Sequence, residues 1–164
     1  MEAKKLLTRA GYEKLIGEHE QLSKVERPRV VKGVSDAAAE GDRSENAEYI
    51  YGKKRLREID KRLAYLSGLL KDVQVVDPAS LSGDRVAFGA TVLIEDEDGK
   101  RKEWTIVGEG EADTREGTIS YRAPMARALL GKKVGDVVTV ERPAGEIDVE
   151  IVGLKFAGRR WDAA

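Results

Sequence analysis

A cluster of acidic side chains in the first half of the chain is the strongest candidate for chemistry. It gathers four carboxylates within nine residues: Glu40, Asp42, Glu45 and Glu48. Asp42 and Glu45 stand three residues apart, so the two could share one divalent cation and one water. Oxygen ligands suit Mg²⁺, which keeps several waters and takes only one or two carboxylates from a protein. Two carboxylates alone bind a metal poorly, so a partner that already holds the metal would have to complete this site.

A structural interpretation of the same cluster is also open. Asp42 followed three residues later by Glu45 is the pattern of a capping box, in which Asp42 is the N-cap of a helix and Glu45 is its third residue. Carboxylates also suit the positive end of a helix dipole. The spacing by itself favours the capping box over the metal site.

A basic run follows the acidic cluster directly. Residues 53–62 carry six cations and two carboxylates, which gives a net charge of +4. The cations are Lys53, Lys54, Arg55, Arg57, Lys61 and Arg62. Such a run is typical of the solvated side of a heptad helix. It also suits the phosphates of a single nucleic-acid strand, with Tyr51 nearby to stack on a base.

Composition excludes several classes of function. Residues 1–78 carry 16 basic and 14 acidic side chains, and residues 79–164 carry 13 and 16, so the two parts have net charges of +2 and −3. Neither part is basic enough to bind duplex nucleic acid by charge alone. The absence of cysteine excludes disulfides and thiolate metal sites. His19 is the single histidine, which disfavours a histidine metal site or a Ser-His-Asp triad.

The chain has no sequence signal for a membrane. Its start lacks the apolar run of a signal peptide, and no window approaches the roughly 20 apolar residues of a membrane span. We therefore expect a soluble, cytoplasmic protein.

Helical periodicity runs from Thr8 to about residue 70. Thr8 is the expected N-cap of a first helix, and Pro28 is expected to kink that helix without ending it. The first helix has an apolar stripe at Tyr12, Leu15, Leu22 and Val25, and the second has a heptad seam at Leu56, Ile59, Leu63, Leu66 and Leu70. Two long helices joined by a short polar turn run antiparallel, so the acidic cluster lies at the far end of a hairpin.

The second half of the chain has the alternation of β-strands. Strands are predicted at residues 90–96, 102–109 and 117–121, with a hairpin over 136–154 and a short helix from Pro124 to Gly131. The predicted fold class is α+β. Residues 1–78 are predicted to form an antiparallel coiled-coil hairpin with an acidic tip, and residues 79–164 a small domain with a strongly bent antiparallel sheet and a short helix.

The stretch "EGDRSENAEYIYGKKRLREIDKRLAYL" resembles the signature of the bacterial transcript cleavage factors of the GreA/GreB family. The segments "RAGYEKL", "APMARALLGKKVGD" and "PAGE" also match, so the resemblance covers roughly residues 5–156. Arg43 and the long basic run favour the GreB branch. The resemblance implies a coiled coil followed by an FKBP-like domain that docks on bacterial RNA polymerase. The coiled coil would enter the polymerase secondary channel and stimulate the polymerase's own cleavage of backtracked nascent RNA, so the factor itself is not an enzyme.

The resemblance also implies roles for individual residues. Asp42 would help to hold a Mg²⁺ shared with the polymerase, and Glu45 would orient or deprotonate the attacking water. Arg43 and Ser44 would position the tip. The 3′ end of the extruded RNA would be bound by Lys53, Lys54, Arg55 and Arg57, and the polymerase would be contacted by Arg122, Ala123 and Pro124. The family usually has a polar residue and a serine where Arg122 and Ala123 stand, so the resemblance implies an altered docking contact. The free protein is expected to bind no metal tightly.

Three other functions are compatible with parts of this pattern. A channel-binding regulator that does not stimulate cleavage is the main alternative, although the presence of both Asp42 and Glu45 argues against it. A prolyl isomerase would need an aromatic-lined pocket in the second half. A freestanding RNA-binding coiled coil would need more positive charge than this chain carries. Because the hairpin satisfies its own seam, a monomer is the simplest expectation.

Overall fold

The computed structural model describes residues 5–41 and 46–157 of the chain. The elements in chain order are β1 (Lys5–Thr8), α1 (Arg9–Gln21), a π-helical segment (Leu22–Glu26), α2 (Arg27–Ala38), α3 (Ala47–Leu70), β2 (Val73–Val76), β3 (Ala90–Asp96), β4 (Arg101–Val107), β5 (Thr118–Ser120), α4 (Pro124–Leu129), β6 (Val137–Val140) and β7 (Ile147–Phe156). The chain forms two compact units. One is Glu13–Lys71, and the other consists of the described residues of Met1–Tyr12 and Asp72–Ala164.

The first unit is a hairpin of antiparallel helices, as the sequence predicts. Contacts between the two arms advance in opposite directions along the chain: Ala37 meets Asn46, Val34 meets Gly52, Arg27 meets Asp60 and Glu18 meets Arg62. Ile59 and Leu66 of the predicted seam are 1% and 0% exposed. Near the end of α3, Leu69 is buried, whereas the predicted Leu70 is only partly buried.

The π-helical segment explains how the first arm passes Pro28. The Arg27 N–H donates to the Leu22 carbonyl, five residues back, in place of the usual four. Pro28 has no N–H, and in an α-helix its ring would collide with the carbonyl of residue 24. The wider π turn precedes the proline, so the helix continues into α2. The same turn changes the helical phase, and Val25, predicted to lie in the apolar stripe, is instead 50% exposed.

Gly52 lies where α2 and α3 pack closely against each other. A Cβ atom built on Gly52 would lie 2.5 Å from Cγ2 of Val34. Glycine in the middle of a helix costs roughly 1 kcal/mol relative to alanine. The close contact explains why α3 nevertheless has glycine at this position.

Substitution at Gly52 tests this packing. We expect Gly52→Ala to destabilise the hairpin by about 1–3 kcal/mol, the usual cost of overpacking, because the stiff Val34 side chain cannot move far enough. Adding Val34→Ala should recover most of the loss. Gly33→Ala is the matched control, since its new methyl group would meet no atom within 4 Å, and it should stabilise α2. Chemical unfolding followed by helical circular dichroism measures all of these, and a stabilising Gly52→Ala would contradict the account.

The second unit contains a curled sheet of five strands in the order β5-β4-β3-β7-β6. The expectation of a wholly antiparallel sheet is wrong, because β5 runs parallel to β4. Residues 108–117 carry the chain back along β4 before β5 begins, which makes this pairing parallel. A bulge in the β3–β7 ladder between Leu93 and Ile94 interrupts the register and bends the sheet. Ala126 and Leu129 of α4 belong to the buried core cluster formed with the sheet.

A two-stranded parallel sheet of β1 and β2, which the sequence analysis missed, completes this unit. At the last residue of β1, the Thr8 hydroxyl accepts a hydrogen bond from the Gly11 N–H at 3.1 Å. Thr8 is therefore the N-cap of α1, as predicted. The Glu111 carboxylate accepts from the backbone N–H groups of Thr8 and Gly108 at 2.8 and 2.9 Å. The predicted boundary after residue 78 lies within this unit, because β2 pairs with β1.

Candidate functional site

The four residues predicted to form the acidic tip lie outside the described residues. They are Asp42, Arg43, Ser44 and Glu45. The structure describes the chain on both sides of them. Gly41 follows α2 with a φ angle of 129°, and Asn46 precedes α3. The ends of α2 and α3 next to residues 42–45 are therefore the described structure that carries the predicted tip.

Asn46 holds the start of α3 against the end of α2. Its Oδ1 accepts a hydrogen bond from the Tyr49 N–H at 3.2 Å, and its Nδ2 donates to the Ala37 carbonyl at 2.8 Å. Asn46 is therefore the N-cap of α3, and the predicted capping box with Asp42 as N-cap is wrong. A carboxylate only accepts hydrogen bonds, whereas an amide can cap one helix and donate to the other. Neither Asp42 nor Glu45 is needed to cap this helix.

Asn46 is a positioning residue that the sequence analysis did not single out. The available signal was an asparagine just before the regular part of the second helix, with Glu48 in the first turn. The competing Asp42–Glu45 pattern hid it. The pattern that begins at Asp42 and the pattern that begins at Asn46 overlap within residues 42–48. The sequence alone does not reveal whether Asp42 or Asn46 is the N-cap of the helix.

Two substitutions separate the hydrogen bonds of Asn46. Asn46→Asp keeps the acceptor for the Tyr49 N–H and loses the donor to Ala37, whereas Asn46→Ala loses both. Loss of an N-cap costs about 1 kcal/mol, and loss of a further hydrogen bond costs about 0.5–1.5 kcal/mol. We therefore expect stability to fall in the order wild type, Asn46→Asp, Asn46→Ala in chemical unfolding. An Asn46→Ala chain as stable as the wild type would contradict the assigned contacts.

The basic run of α3 divides into two groups. Lys53, Lys54 and Arg57 are exposed, as a strand-binding surface requires. Arg55 instead links the two arms: its Nε donates to Oε1 of Glu26 at 2.7 Å, and its Nη1 donates to Oε2 of Glu58 at 3.3 Å. The hydrogen bond that Arg55 donates to Glu26 is the main reason why the pKa of Arg55 is raised. Among the described residues, Arg55 is thus the one of the four predicted RNA-binding cations that pairs within the hairpin.

Two further arginine–carboxylate pairs join the arms. Arg62 donates to Glu18 through Nε at 2.5 Å and Nη2 at 2.9 Å. Arg27 donates to Asp60 at 2.8 and 3.4 Å. These hydrogen bonds are the main cause of the lowered pKa values of the Glu18 and Asp60 carboxyls.

The lowered pKa values predict an acid-sensitive hairpin. A carboxyl whose pKa is lower in the folded state stabilises that state at neutral pH, and this contribution is lost as the pH falls through the folded-state pKa. We expect the helical unit to lose more stability between pH 7 and pH 3 in the wild type than in the Arg27→Met/Arg62→Met variant. Thermal melts at the two pH values measure the difference. Equal acid responses would show that the pairs contribute nothing.

The three predicted docking residues lie together at the start of α4. Ala123 is its N-cap and makes no side-chain capping bond, and Pro124 is its first residue. Nη1 of Arg122 donates to Oε2 of Glu109 at 3.1 Å, and the guanidinium carbon lies 5.5 Å from the centroid of the Tyr121 ring. This arrangement presents a half-exposed cation beside an aromatic ring.

The described part of the chain contains neither a cluster of metal ligands nor a membrane-spanning helix. There, no group of three or more histidine or acidic side chains could hold a metal ion. No helix in the same residues is long and apolar enough to span a membrane.

Comparison with known proteins decides the family. The profile "Transcription elongation factor, N-terminal" matches residues 5–75, and "Transcription elongation factor, GreA/GreB, C-term" matches residues 81–156. The chain belongs to the GreA/GreB family of transcription elongation factors. Its match to GreA of Nitratiruptor sp. is 49% identical over 157 residues and covers 95% of this chain and 96% of the relative. Its match to GreB of Pasteurella multocida is 50% identical over 139 residues and covers 85% and 88%.

The GreA/GreB matches do not separate the two branches. The identities of 49% and 50% are nearly equal, so the preference for GreB stays a prediction. The structure of GreA factor homolog 1 (Gfh1) from Thermus thermophilus aligns with a TM-score of 0.44 at 26% identity and covers 93% of this chain and 99% of that one.

Proposed function

We propose that this GreA/GreB family member is a transcript cleavage factor. Its hairpin enters the secondary channel of bacterial RNA polymerase and stimulates the polymerase's own endonucleolytic cleavage of backtracked nascent RNA. The main support is the family match over both halves of the chain. In the sequence, Asp42 and Glu45 stand between the two helices of the hairpin. The new RNA 3′ end lies at the polymerase active site, so an arrested complex resumes synthesis.

The two carboxylates have different roles in this proposal. Asp42 contributes an oxygen ligand to a Mg²⁺ shared with the polymerase, and Glu45 orients the attacking water and accepts its proton. In two-metal phosphodiester hydrolysis, one cation would activate the nucleophile and the other would stabilise the leaving oxygen. The water oxygen bonds to phosphorus as the bond to the 3′ oxygen breaks. General-base assistance of this kind contributes roughly 10²–10⁴-fold in rate.

The described residues are compatible with a shared metal. Asn46 caps α3, so the helix does not need the carboxylate of Asp42 or Glu45 for this purpose. Two carboxylates are too few to hold Mg²⁺ alone, since the ion prefers six oxygen ligands. The isolated protein is therefore expected to have no nuclease activity.

The remaining predicted residues hold the substrate and the partner. The exposed Lys53, Lys54 and Arg57 neutralise phosphates of the extruded strand. Arg55 contributes to the same basic surface while it links the helices. Arg43 and Ser44 position the tip, and the polymerase is contacted by Arg122, Ala123 and Pro124.

RNA cleavage in stalled, backtracked elongation complexes tests the proposal. We expect the wild type to accelerate release of 3′ fragments, and Asp42→Asn or Glu45→Gln to lower the rate by about 10²–10⁴-fold while polymerase binding is kept. Glu40→Gln and Glu48→Gln are matched controls, because these exposed carboxylates flank the tip on either side. The controls should retain most of the activity.

Two outcomes would contradict the proposal, the first in its function and the second in the roles of the two carboxylates. A wild type that binds the polymerase without accelerating cleavage would be a channel-binding regulator. If the controls fell as far as the tip variants, the net charge of the region would matter, and the individual roles of Asp42 and Glu45 would be wrong.

A further inference from the structure

A polar cluster in the second unit holds the beginning of α1. The Glu111 carboxylate accepts hydrogen bonds from the Thr8 N–H at 2.8 Å, from the Thr8 hydroxyl, and from the Gly108 N–H at 2.9 Å. Thr8, the N-cap of α1, is only 7% exposed. A Cβ atom built on Gly11, in the first turn of α1, would collide with the Glu111 carboxylate. Glu111 therefore lies directly against the first turn of the helix that leads towards the predicted tip.

Glu111 is the last residue of a turn that also contacts one of the predicted docking residues. This 108–111 turn is closed by a hydrogen bond from the Glu111 N–H to the Gly108 carbonyl at 3.3 Å, and Gly110 has a φ angle of 93°, which favours glycine. Within the turn, the Glu109 carboxylate accepts a hydrogen bond from Nη1 of Arg122 at 3.1 Å. The turn thus contacts the docking segment through Glu109 and the cap of α1 through Glu111.

A second connection joins the docking segment to the strand that leads into α1. The Tyr121 hydroxyl accepts a hydrogen bond from the Leu6 N–H of β1 at 3.4 Å, and the Tyr121 N–H donates to the Val107 carbonyl at 2.9 Å. The neighbouring Arg122 has five N–H donors in its guanidinium, so it can contact a partner without releasing Glu109. The docking segment and the start of the first arm are therefore held together at two points.

We infer that Glu111 is a positioning residue for cleavage: through the 108–111 turn, it fixes the first turn of α1 to the residues that dock on the polymerase. The inference rests on the proposed function, in which the docked protein must place its tip at a distant metal. From Thr8 to Ala38, the first arm rises about 45 Å at 1.5 Å per residue. A rotation of about 5° in the first turn would displace the far end by about 4 Å, and a misplacement of about 1 Å can lower a rate about 10²-fold.

The dependence of RNA cleavage on the concentration of this protein tests the role of Glu111. We expect Glu111→Ala to lower the maximal cleavage rate in backtracked complexes by about tenfold or more. The half-saturating concentration should not change, because the docking residues remain. Glu111→Gln should behave as the wild type, since its amide oxygen can accept from the two N–H groups and its amide nitrogen can donate to the Thr8 hydroxyl. Glu116→Ala removes an exposed carboxylate of the same unit and is the control.

Three results would overturn the inference. An unchanged maximal rate in Glu111→Ala would show that cleavage does not need this carboxylate. A higher half-saturating concentration with an unchanged maximal rate would indicate a loss of folded or docked protein, because unfolded molecules lower the effective concentration and not the rate at saturation. Equal losses in Glu111→Ala and Glu111→Gln would assign the effect to the negative charge of Glu111 and not to its hydrogen bonds.

Hydrogen exchange separates this inference from the proposed function. A wild type that binds the polymerase without stimulating cleavage would make the proposed function wrong. The exchange of the Thr8 and Gly108 N–H groups, measured with and without bacterial RNA polymerase, would still test the connection. Docking should slow the exchange of both groups in the wild type, because it immobilises Arg122 and with it the 108–111 turn, and should not do so in Glu111→Ala. Unchanged exchange in the wild type would overturn the inference.

Discussion

The close packing of α2 against α3 is the constraint on which the rest of the hairpin depends. Gly52 allows Val34 to approach the backbone of α3, and Asn46 hydrogen-bonds the beginning of that helix to Ala37 near the end of α2. The two helix ends are therefore held together on both sides of residues 42–45. In the proposed function, this arrangement carries two carboxylates to a distant metal without using them as helix caps.

The charges of α3 serve two purposes because they lie on different sides of one helix. Arg55 and Arg62 each donate two hydrogen bonds to a carboxylate of the first arm, Glu26 and Glu18 respectively. A planar guanidinium provides this geometry and an ammonium group does not. Lys53 and Lys54 remain exposed. The hairpin thus uses arginine to fix the register of its arms and leaves a basic surface for a strand. A net charge near zero conceals this division.

The sequence was sufficient wherever one local pattern decided the structure, and it failed where two patterns or a distant contact competed. The alternation of β3 predicted residues 90–96, and Thr8 was correctly placed as the cap of α1. Val25 is exposed and does not lie in the predicted apolar stripe, because the π turn before Pro28 changes the helical phase of the first arm. Counting heptads does not include this effect. The pairing of β1 with β2 joins residues far apart in the chain, and no local periodicity reports it.

The dependence of RNA cleavage on Mg²⁺ concentration tests the central claim, that the tip completes the polymerase's metal site, most directly. The rate in backtracked complexes would be titrated with Mg²⁺ at saturating wild type, Asp42→Asn or Glu45→Gln. Asp42→Asn is expected to shift the titration to higher Mg²⁺ and to recover rate there. Glu45→Gln should lower the maximal rate without the shift, because its role is proton transfer. Superimposable Mg²⁺ titrations for the wild type and Asp42→Asn would contradict metal sharing.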